Sequence, residues 1–408
     1  MKRIALLLLA ALLFTLALSA CSGGDELVCE DAIGCVTVAP DEPITIAYML
    51  TISGATAFLG EDSRGGIQIA IDDRGGKLLD HDINLKGEDS GCSAEGGQTA
   101  AQKLAADTQI VGIIGSSCSS EATAGLPIIS EAGMLMISPS NTAPALTDKE
   151  GTWHPGYYRT AHNDLFQGRV AADYAYNELG ARTAATIHDG SPYADGLQGV
   201  FANRFKELGG TITFQGAVNV GDTDMRPILT NVGADSPDVL YFPIFEPEGN
   251  FIAAQSKEVA GLENTILFGA DGLLSESFPS GTGPAAVGMY LSGPYVEGDA
   301  YQQLLAKWDA KFGGPPPSGF HAHAYDATNI LLDAIEKVAL KGDDGTLLIP
   351  RQALRDAVTA TAGFRGVTGT LACNETGDCA TGEALGIYRI TDAEVSGGNW
   401  PPEAVWTP

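Results

Sequence analysis

Hydroxyl-bearing residues follow two of the apolar, strand-like segments in this 408-residue chain. The first segment ends at Gly115 and leads through Ser116–Ser120 into a helical pattern that begins at Ser119. Free N–H groups at a helix N-terminus and serine hydroxyls are suited to bind a carboxylate. Thr142, in the stretch Pro139-Ser140-Asn141-Thr142 after the next strand, offers a further hydroxyl and a backbone N–H. We therefore expect a carboxylate site, although the serines are also ordinary helix-capping residues.

An acidic residue and four apolar or aromatic side chains form a second set. Asp271 follows a predicted strand and offers a negative charge for an ammonium group. The side chains that offer apolar walls are Phe58, Leu59, Tyr193 and Phe245. A carboxylate site, an ammonium site and an apolar wall together describe a zwitterionic amino acid. Structural alternatives stay open, because Asp271 also suits a turn and the aromatic residues also suit a core.

These candidate residues can meet only if the strands before them share sheets. Apolar strand patterns alternate with helical patterns, which indicates parallel sheets covered by helices on both faces. The predicted strands are 44–50, 83–88, 110–115 and 134–138 in a first sheet, and 183–188, 211–218, 239–245 and 265–269 in a second. In open parallel sheets, ligands bind beyond the carboxyl ends of the strands. We therefore expect the candidate residues to line one cleft.

The N-terminus has the features of a lipoprotein signal. Lys2 and Arg3 precede an apolar run, Ile4–Leu18, that is shorter than the roughly 20 residues needed to span a bilayer. The run ends in Leu18-Ser19-Ala20-Cys21, where small residues before a cysteine indicate cleavage and lipidation of Cys21. The alternative is a transmembrane anchor. On the first interpretation, the protein contacts the membrane only through this lipid.

The chain is strongly acidic, with 51 Asp and Glu against 23 Lys and Arg and a formal net charge of −28. Such a surface repels nucleic acid and anionic lipid. The sequence contains neither a nucleotide-binding glycine loop nor a nucleophile elbow at a strand-to-helix turn. His321 and His323 are two residues apart, so a helix would not place them on one face. We therefore expect no enzyme activity, no cofactor, no metal site and no nucleic-acid partner.

Seven cysteines are present, and lipidation of Cys21 leaves an even number. Outside the cytoplasm, six cysteines suggest three disulfides. Two pairs are close in sequence and two cysteines remain, so the suggested pairing is Cys29–Cys35, Cys373–Cys379 and Cys92–Cys118. Zinc binding is the alternative, although neither local pair has the two-residue spacing of a zinc knuckle.

Several of these motifs together resemble the leucine/isoleucine/valine-binding protein family, which supplies the soluble receptors of branched-chain amino acid ABC importers. The matching stretches are Ile114–Ser120, Met136–Thr147, Ile187–Asp189 with Tyr193 and Gly196, Gly269–Gly272 and Gly366–Gly369. The resemblance extends from about Pro43 to Ile390. It implies an α/β fold of the type I periplasmic binding proteins: two doubly wound parallel-sheet lobes joined by a three-crossing hinge.

The resemblance also implies roles for individual residues. Ser119 and Thr142 would hold the ligand carboxylate. The backbone around Ser140, followed by Asn141, would hold the ammonium together with Thr142 and Asp271. Tyr193 would close over the ligand from the second lobe, and Cys92 and Cys118 match positions that are disulfide-bonded in other members.

The chain departs from the family pattern at the apolar walls of the expected cleft and at the acidic residue expected to bind the ammonium. Leu59, with Phe58 beside it, stands where other members carry an aromatic residue, and Phe245 stands where they carry a tyrosine. Asp271 replaces a longer glutamate. These changes affect the expected preference for the ligand side chain and leave the amino-acid headgroup site intact.

From these features we expect a secreted, lipid-anchored and monomeric solute-binding protein. It would deliver a small branched-chain or other aliphatic amino acid to the permease subunits of an ABC transporter. The alternative is a receptor of the same fold that senses an amide, urea or an aromatic acid. The expected division is a signal peptide at 1–20, a tether at 21–42, lobe 1 at 43–162 with 295–367, and lobe 2 at 163–294 with 368–400.

Overall fold

The computed structural model of the protein describes residues 27–380, 384–397 and 399–408. The predicted signal peptide and the predicted lipid attachment at Cys21 lie outside these residues. In the described part of the chain, no helix is long and apolar enough to cross a membrane. The strands form two large sheets; we call each sheet with its covering helices lobe 1 and lobe 2, in chain order.

The strands alternate with helices through most of the chain. In chain order the strands are β1 (Cys35–Val38), β2 (Ile44–Leu50), β3 (Lys77–Leu78), β4 (His81–Asp89), β5 (Ile110–Gly115), β6 (Met136–Ser138), β7 (Tyr157–Arg159), β8 (Thr183–His188), β9 (Thr211–Ala217), β10 (Val239–Tyr241), β11 (Ile266–Gly269), β12 (Tyr290–Pro294), β13 (Leu340–Lys341), β14 (Leu347–Pro350), β15 (Phe364–Gly366), β16 (Gly369–Leu371), β17 (Leu385–Arg389) and β18 (Ala404–Trp406). The helices are α1 (Ala57–Asp73), α2 (Ala94–Ala106), α3 (Ser119–Glu131), α4 (Asp164–Asn177), α5 (Pro192–Glu207), α6 (Arg226–Gly233), α7 (Glu248–Ser256), α8 (Ser277–Thr282), α9 (Asp299–Phe312), α10 (His321–Val338), α11 (Arg351–Thr359) and α12 (Asp392–Val395).

The sheet of lobe 1 has the strand order β3-β4-β2-β5-β6-β7 and is parallel except for β3. Ile46 and Leu50 of β2 pack on one face of this sheet, in a core that includes Leu331 of α10. Ala47 and Met49 face the opposite side. Because helices cover both faces, the central strands β2 and β5 are almost continuously apolar rather than alternating, as is typical of buried parallel sheets.

The sheet of lobe 2 has the order β18-β17-β12-β11-β10-β8-β9. Strands β8 to β12 are parallel, and β17 and β18 add an antiparallel edge. The chain enters this lobe after β7, leaves it after β12 and returns to it at β17. These three passages, together with two parallel-sheet lobes, give the predicted fold class.

The segment before residue 42 is more ordered than the predicted tether. Cys35–Val38 forms β1, which pairs antiparallel with β14. Val36 and Val38 alternate inward and are buried in the core of lobe 1. The prediction is therefore wrong for these residues, because two valines two positions apart are enough to bury one side of a short strand.

Other differences concern where elements end. The strand predicted at 239–245 stops at Tyr241, and the following residues form a loop that carries Phe245. Helix α10 begins at His321 rather than at 324, and both early histidines are buried in packing positions. Leu371 and Cys379, which the predicted boundaries assign to lobe 2, are buried in the core of lobe 1.

Candidate functional site

The predicted ligand-binding residues follow the carboxyl ends of strands in both lobes. Ser119 begins α3 after β5, and Thr142 follows β6 in lobe 1. Tyr193 lies in the first turn of α5 after β8, and Asp271 follows β11 in lobe 2. All four side chains are buried. Helix α5 packs against α3 and against the turn Pro144–Thr147, so the two lobes meet across the cleft.

Two hydroxyl groups of lobe 1 are placed to bind an anionic group. Ser119 Oγ accepts a hydrogen bond from the Ala143 N–H over 3.2 Å, so its own O–H can still donate. Thr142 Oγ1 is buried and has no hydrogen-bond partner among the described residues. Ser119 also begins a 13-residue helix, whose first N–H groups have no partner within the helix. The carboxylate-binding chemistry predicted from the sequence is therefore available here.

Ser140 and Asn141 connect the loops that carry these hydroxyls. Ser140 Oγ donates to the Ser117 carbonyl over 2.9 Å, and Asn141 Oδ1 accepts from Ser116 Oγ over 3.1 Å. Their side-chain bonds thus tie the loop after β6 to the loop after β5. Asn141 Nδ2 is buried without a described partner.

Asp271 is a buried carboxylate held by two donors from its own lobe. Its Oδ1 accepts from Gln167 Nε2 over 2.6 Å and from the Tyr193 hydroxyl over 3.0 Å. Tyr193 in turn accepts from the Gly272 N–H over 3.2 Å. Burial raises the pKa of Asp271 to about 6, and the two side-chain donors limit the rise. The carboxylate is therefore ionised at neutral pH and oriented before any ligand binds.

A second buried carboxylate, Asp164, belongs to the same region and is not among the residues predicted from the sequence. It is the first residue of α4 and is fully buried, and neither of its oxygens has a hydrogen-bond partner among the described residues. Burial and the nearby charge of Asp271 raise its pKa well above the usual range, and the charge of Arg159 offsets this only in part. An unsatisfied buried carboxylate beside another acid is a strong acceptor for a cation.

Asp164 is not the residue that caps α4. Asn163 Oδ1 accepts from the Leu165 N–H over 2.9 Å and so already caps the helix. Asp164 stands one position after the cap, so its carboxylate is not used for capping. The Tyr241 hydroxyl lies near both acids, and burial, followed by their charges, raises its pKa well above the usual range.

The predicted apolar walls come together from both lobes. Leu59 and half-buried Phe58 pack in one cluster with Phe245 from lobe 2. The disulfide partners Cys92 and Cys118 belong to the same cluster. The rings of Tyr193 and Phe245 lie 5.1 Å apart, centroid to centroid. This grouping gives the cleft an apolar side next to the hydroxyls and acids.

Glu121 holds the loop in front of Ser119. Its carboxylate accepts from the N–H groups of Ser117, Cys118 and Cys92, over 2.9, 2.8 and 2.6 Å respectively. Burial raises the pKa of Glu121 to about 7, and these N–H donors favour the ionised form. This role could not be predicted from the sequence, because Glu121 occupies an ordinary capping-box position.

All three predicted disulfides are present: Cys29–Cys35, Cys92–Cys118 and Cys373–Cys379. The second joins the loop after β4 to the loop after β5, beside the apolar cluster. The pairing predicted from the cysteine count is therefore confirmed.

Comparison with known proteins agrees with this geometry. The model of the family described as "Periplasmic binding protein" matches residues 43–395. The chain belongs to the periplasmic binding protein family. In this periplasmic binding protein, the candidate residues come from both lobes.

Individual relatives fit the same family. The Leu/Ile/Val-binding protein BraC3 of Rhizobium johnstonii is 27% identical over 348 residues, covering 85% of this chain and 91% of the relative. The crystal structure of leucine-binding protein LivK from Thermotoga maritima is 25% identical with a TM-score of 0.78, covering 90% of this chain and 99% of that one. The structure of a solute-binding protein of an ABC transporter from R. palustris, in complex with benzoate, is 20% identical with a TM-score of 0.73. The match covers 86% of this chain and 93% of that one. The resemblance and the fold predicted from the sequence are confirmed.

Proposed function

We propose that this periplasmic binding protein captures a small α-amino acid with an apolar side chain and delivers it to an ABC transporter. The observation that supports this most strongly is the placement of opposite binding chemistries in one buried region. Hydroxyls and helix N–H groups at Ser119 and Thr142 suit a carboxylate. The carboxylates of Asp164 and Asp271 suit an ammonium.

The two buried acids favour a ligand that carries a positive charge. Two buried carboxylates that raise each other's energy cannot both ionise at low cost unless a positive charge lies beside both, and Arg159 offsets the cost at Asp164 only in part. A ligand ammonium supplies that charge and also offers three N–H donors. It would bind Asp164, whose oxygens have no other described partner, and the ionised Asp271.

The wall composition defines the ligand side chain. The side chains of Leu59, Phe58 and Phe245 are entirely hydrocarbon. The adjacent disulfide adds no strong hydrogen-bond donor or acceptor. A charged or amide side chain placed there would lose its hydration without compensation. A branched-chain or other aliphatic side chain therefore fits best.

Capture would proceed by closure of the lobes. Ser119 and Thr142 belong to lobe 1, whereas Tyr193, Phe245 and Asp271 belong to lobe 2. A ligand favours the closed state only through contacts that it makes better in that state. The ammonium meeting Asp271 while the carboxylate stays at Ser119 is such a contact, because it needs both lobes at once.

The proposed cellular setting follows from the family and the N-terminus. We place the protein outside the cytoplasm, attached to the membrane by a lipid on Cys21, after removal of residues 1–20. Its partners would be the permease subunits of the ABC transporter, which would recognise the closed monomer. It would act without a cofactor and without catalysing a reaction.

A receptor for an aromatic acid is the second candidate, and one observation favours it. Phe58, Tyr193 and Phe245 give the cleft aromatic side chains, and a protein of the same fold binds benzoate. Such a ligand lacks the ammonium, so it would leave Asp164 and Asp271 without a cation. The two candidates therefore differ in the group that meets the acids.

A thermal-shift screen of the chain beginning at Ser22 distinguishes the candidates. The panel contains the twenty amino acids, short amides, urea, benzoate and hydroxybenzoates. A ligand that binds only the folded state raises the unfolding midpoint. A shift with leucine, isoleucine, valine or alanine supports the proposal. Shifts confined to benzoates contradict it and favour the second candidate, and shifts confined to amides or urea contradict both.

A further inference from the structure

Arg159 is a fully buried arginine at the end of β7, and its guanidinium holds the loop that carries Thr142. Nη1 donates to the carbonyls of Asn141 and Ala143 over 3.3 and 2.9 Å. These two residues flank Thr142 on either side. Nη2 donates to Thr147 Oγ1 over 2.7 Å at the far end of the same loop. One side chain thus fixes the backbone on both sides of the candidate carboxylate-binding hydroxyl.

The charge of Arg159 is balanced from a distant part of the chain. Asp378 accepts from Arg159 Nε and lies 219 residues further along the sequence. Burial opposes ionisation of Asp378, but the Arg159 charge and its hydrogen bonds outweigh burial and lower its pKa. A buried guanidinium that loses the carboxylate paired with it is strongly destabilised. The position of Asp378 therefore decides whether Arg159 can stay in place.

A small disulfide-closed loop holds Asp378 at that position. We call residues 373–379 the C-terminal disulfide loop; its ends are joined by the Cys373–Cys379 bond. Two backbone hydrogen bonds dock it on β7: Arg159 N–H to the Gly377 carbonyl over 2.9 Å, and Cys379 N–H to the Arg159 carbonyl over 3.0 Å. Closing the loop removes conformations in which Asp378 would point away.

The same carboxylate also reaches the start of α4. Asp378 Oδ2 accepts from Thr147 Oγ1 over 2.9 Å and from Asn163 Nδ2 over 3.1 Å. Asn163 is the cap of α4, and the next residue is Asp164. Through Arg159 and Asn163, Asp378 is thus tied to both sides of the candidate site, the hydroxyl at Thr142 and the acid at Asp164.

We propose that the C-terminal disulfide loop is a positioning element of the ligand site, which acts through Asp378 on the Thr142 loop and on the start of α4. The inference rests on the proposed function insofar as Thr142 and Asp164 contact the ligand. Asp378 itself is a positioning residue, since its described contacts are to Arg159, Thr147 and Asn163. Opening the loop therefore loosens the ligand site while the remaining fold persists.

The chain offers a matched control for this proposal. Cys29–Cys35 closes a loop of the same sequence separation, six residues, and lies on the N-terminal segment that packs with β14. The test compares Cys373→Ala/Cys379→Ala with Cys29→Ala/Cys35→Ala and with Asp378→Asn. Leucine affinity is measured by calorimetry, and amide hydrogen exchange is measured across residues 138–143 in the ligand-free protein.

We expect opening of the C-terminal loop to weaken leucine binding at least fivefold and to speed exchange of the Asn141 and Ala143 amides at least tenfold. These amides donate to Ser138 Oγ and Ser119 Oγ and are slow while the loop is held. Asp378→Asn should have the same two effects, and the control pair should have neither. Unchanged exchange at these amides in both C-terminal variants, or an equal effect of the control pair, overturns the proposal.

The two readouts separate this inference from the proposed function. Exchange at residues 141 and 143 reports the tie between the loop and the site without any ligand. If wild-type protein does not bind leucine or another amino acid, the proposed function fails, and faster exchange in the C-terminal variants still supports the positioning role. If the wild type binds and exchange does not change, only the positioning role fails.

Discussion

The Tyr193 hydroxyl donates to Asp271 Oδ1 over 3.0 Å, and both residues belong to lobe 2. The lobe that closes over the ligand therefore presents its acid in a fixed orientation. Because this bond and that of Gln167 both reach Oδ1, a ligand ammonium can approach Oδ2 without displacing either donor. The site is thus preorganised on the lobe 2 side, which reduces the cost of binding.

Replacing Asp271 removes the charge without removing the acceptor. Asp271→Asn keeps an oxygen for Gln167 and Tyr193, so we expect the fold to persist. The loss of a charge-assisted bond to the ammonium should weaken amino-acid binding by about tenfold or more, measured by calorimetry. Asp343→Asn, at an exposed position, is the control and should bind as the wild type does. Equal affinities of the two variants would remove Asp271 from the site.

Asp164→Asn should weaken amino-acid binding without lowering the stability of the folded protein. Asp164 is a buried acid with no described partner and a strongly raised pKa, so its ionised form costs stability in the empty protein. We expect an unchanged or higher unfolding midpoint without ligand, together with weaker amino-acid binding. Thermal unfolding and calorimetry on the same sample provide both values. A lower midpoint with normal affinity would instead assign Asp164 a structural role.

Amino-acid affinity should fall in mild acid. The pKa of Asp271 is raised to about 6, and only the ionised carboxylate attracts the ligand ammonium, which itself stays protonated at these pH values. Below pH 6 we expect the affinity to drop by about tenfold per pH unit as Asp271 takes up a proton. Titrations at several pH values down to the acid-unfolding limit test this expectation. A flat profile between pH 7 and pH 5 would contradict it.

Glu121 should give the empty protein a stability that declines with rising pH. Its pKa is raised in the folded state to about 7 from the usual 4.5, so between these values the folded chain binds more protons than the unfolded chain. The free energy of unfolding therefore falls as pH rises through this window, by about 3 kcal/mol at most from this group. Glu121→Gln should reduce the change of the thermal unfolding midpoint with pH between pH 5 and pH 7. An identical pH profile in the variant is the opposing result.

Phe245→Ala should change the preference for the ligand side chain. Phe245 forms the lobe 2 wall of the apolar cluster with Leu59 and Phe58. Without the Phe245 ring, a bulky ligand side chain loses many buried contacts and a small one loses few. Leucine should therefore lose about tenfold in affinity and alanine much less. Parallel titrations with the two amino acids measure the ratio. An equal loss for both would place Phe245 away from the ligand side chain.

The alternation of strands and helices was sufficient to predict both parallel sheets. In such sheets the carboxyl ends of neighbouring strands meet, and Ser119, Thr142, Tyr193 and Asp271 could therefore be grouped before the structure was known. The disulfide pairing followed from the even cysteine count and two short spacings.

Residues whose roles depend on distant partners could not be found in this way. Arg159 and Asp378 are 219 residues apart, and neither has a local pattern that names the other. Asp164 has the appearance of a helix-start residue, and only its burial beside Asp271 shows that it is unsatisfied. Local periodicity predicts elements and their ends, whereas contacts between late and early segments depend on how those elements pack.

The most direct measurement is a calorimetric comparison of leucine with its two half-molecules. 4-Methylpentanoate lacks the ammonium, and 3-methylbutylamine lacks the carboxylate, while both keep the side chain. The account predicts that leucine binds and that each analogue binds at least about a hundredfold more weakly, because each leaves one buried set of polar groups unpaired. Binding of 4-methylpentanoate as tight as that of leucine would contradict the account, since Asp164 and Asp271 would then have no ligand group to meet.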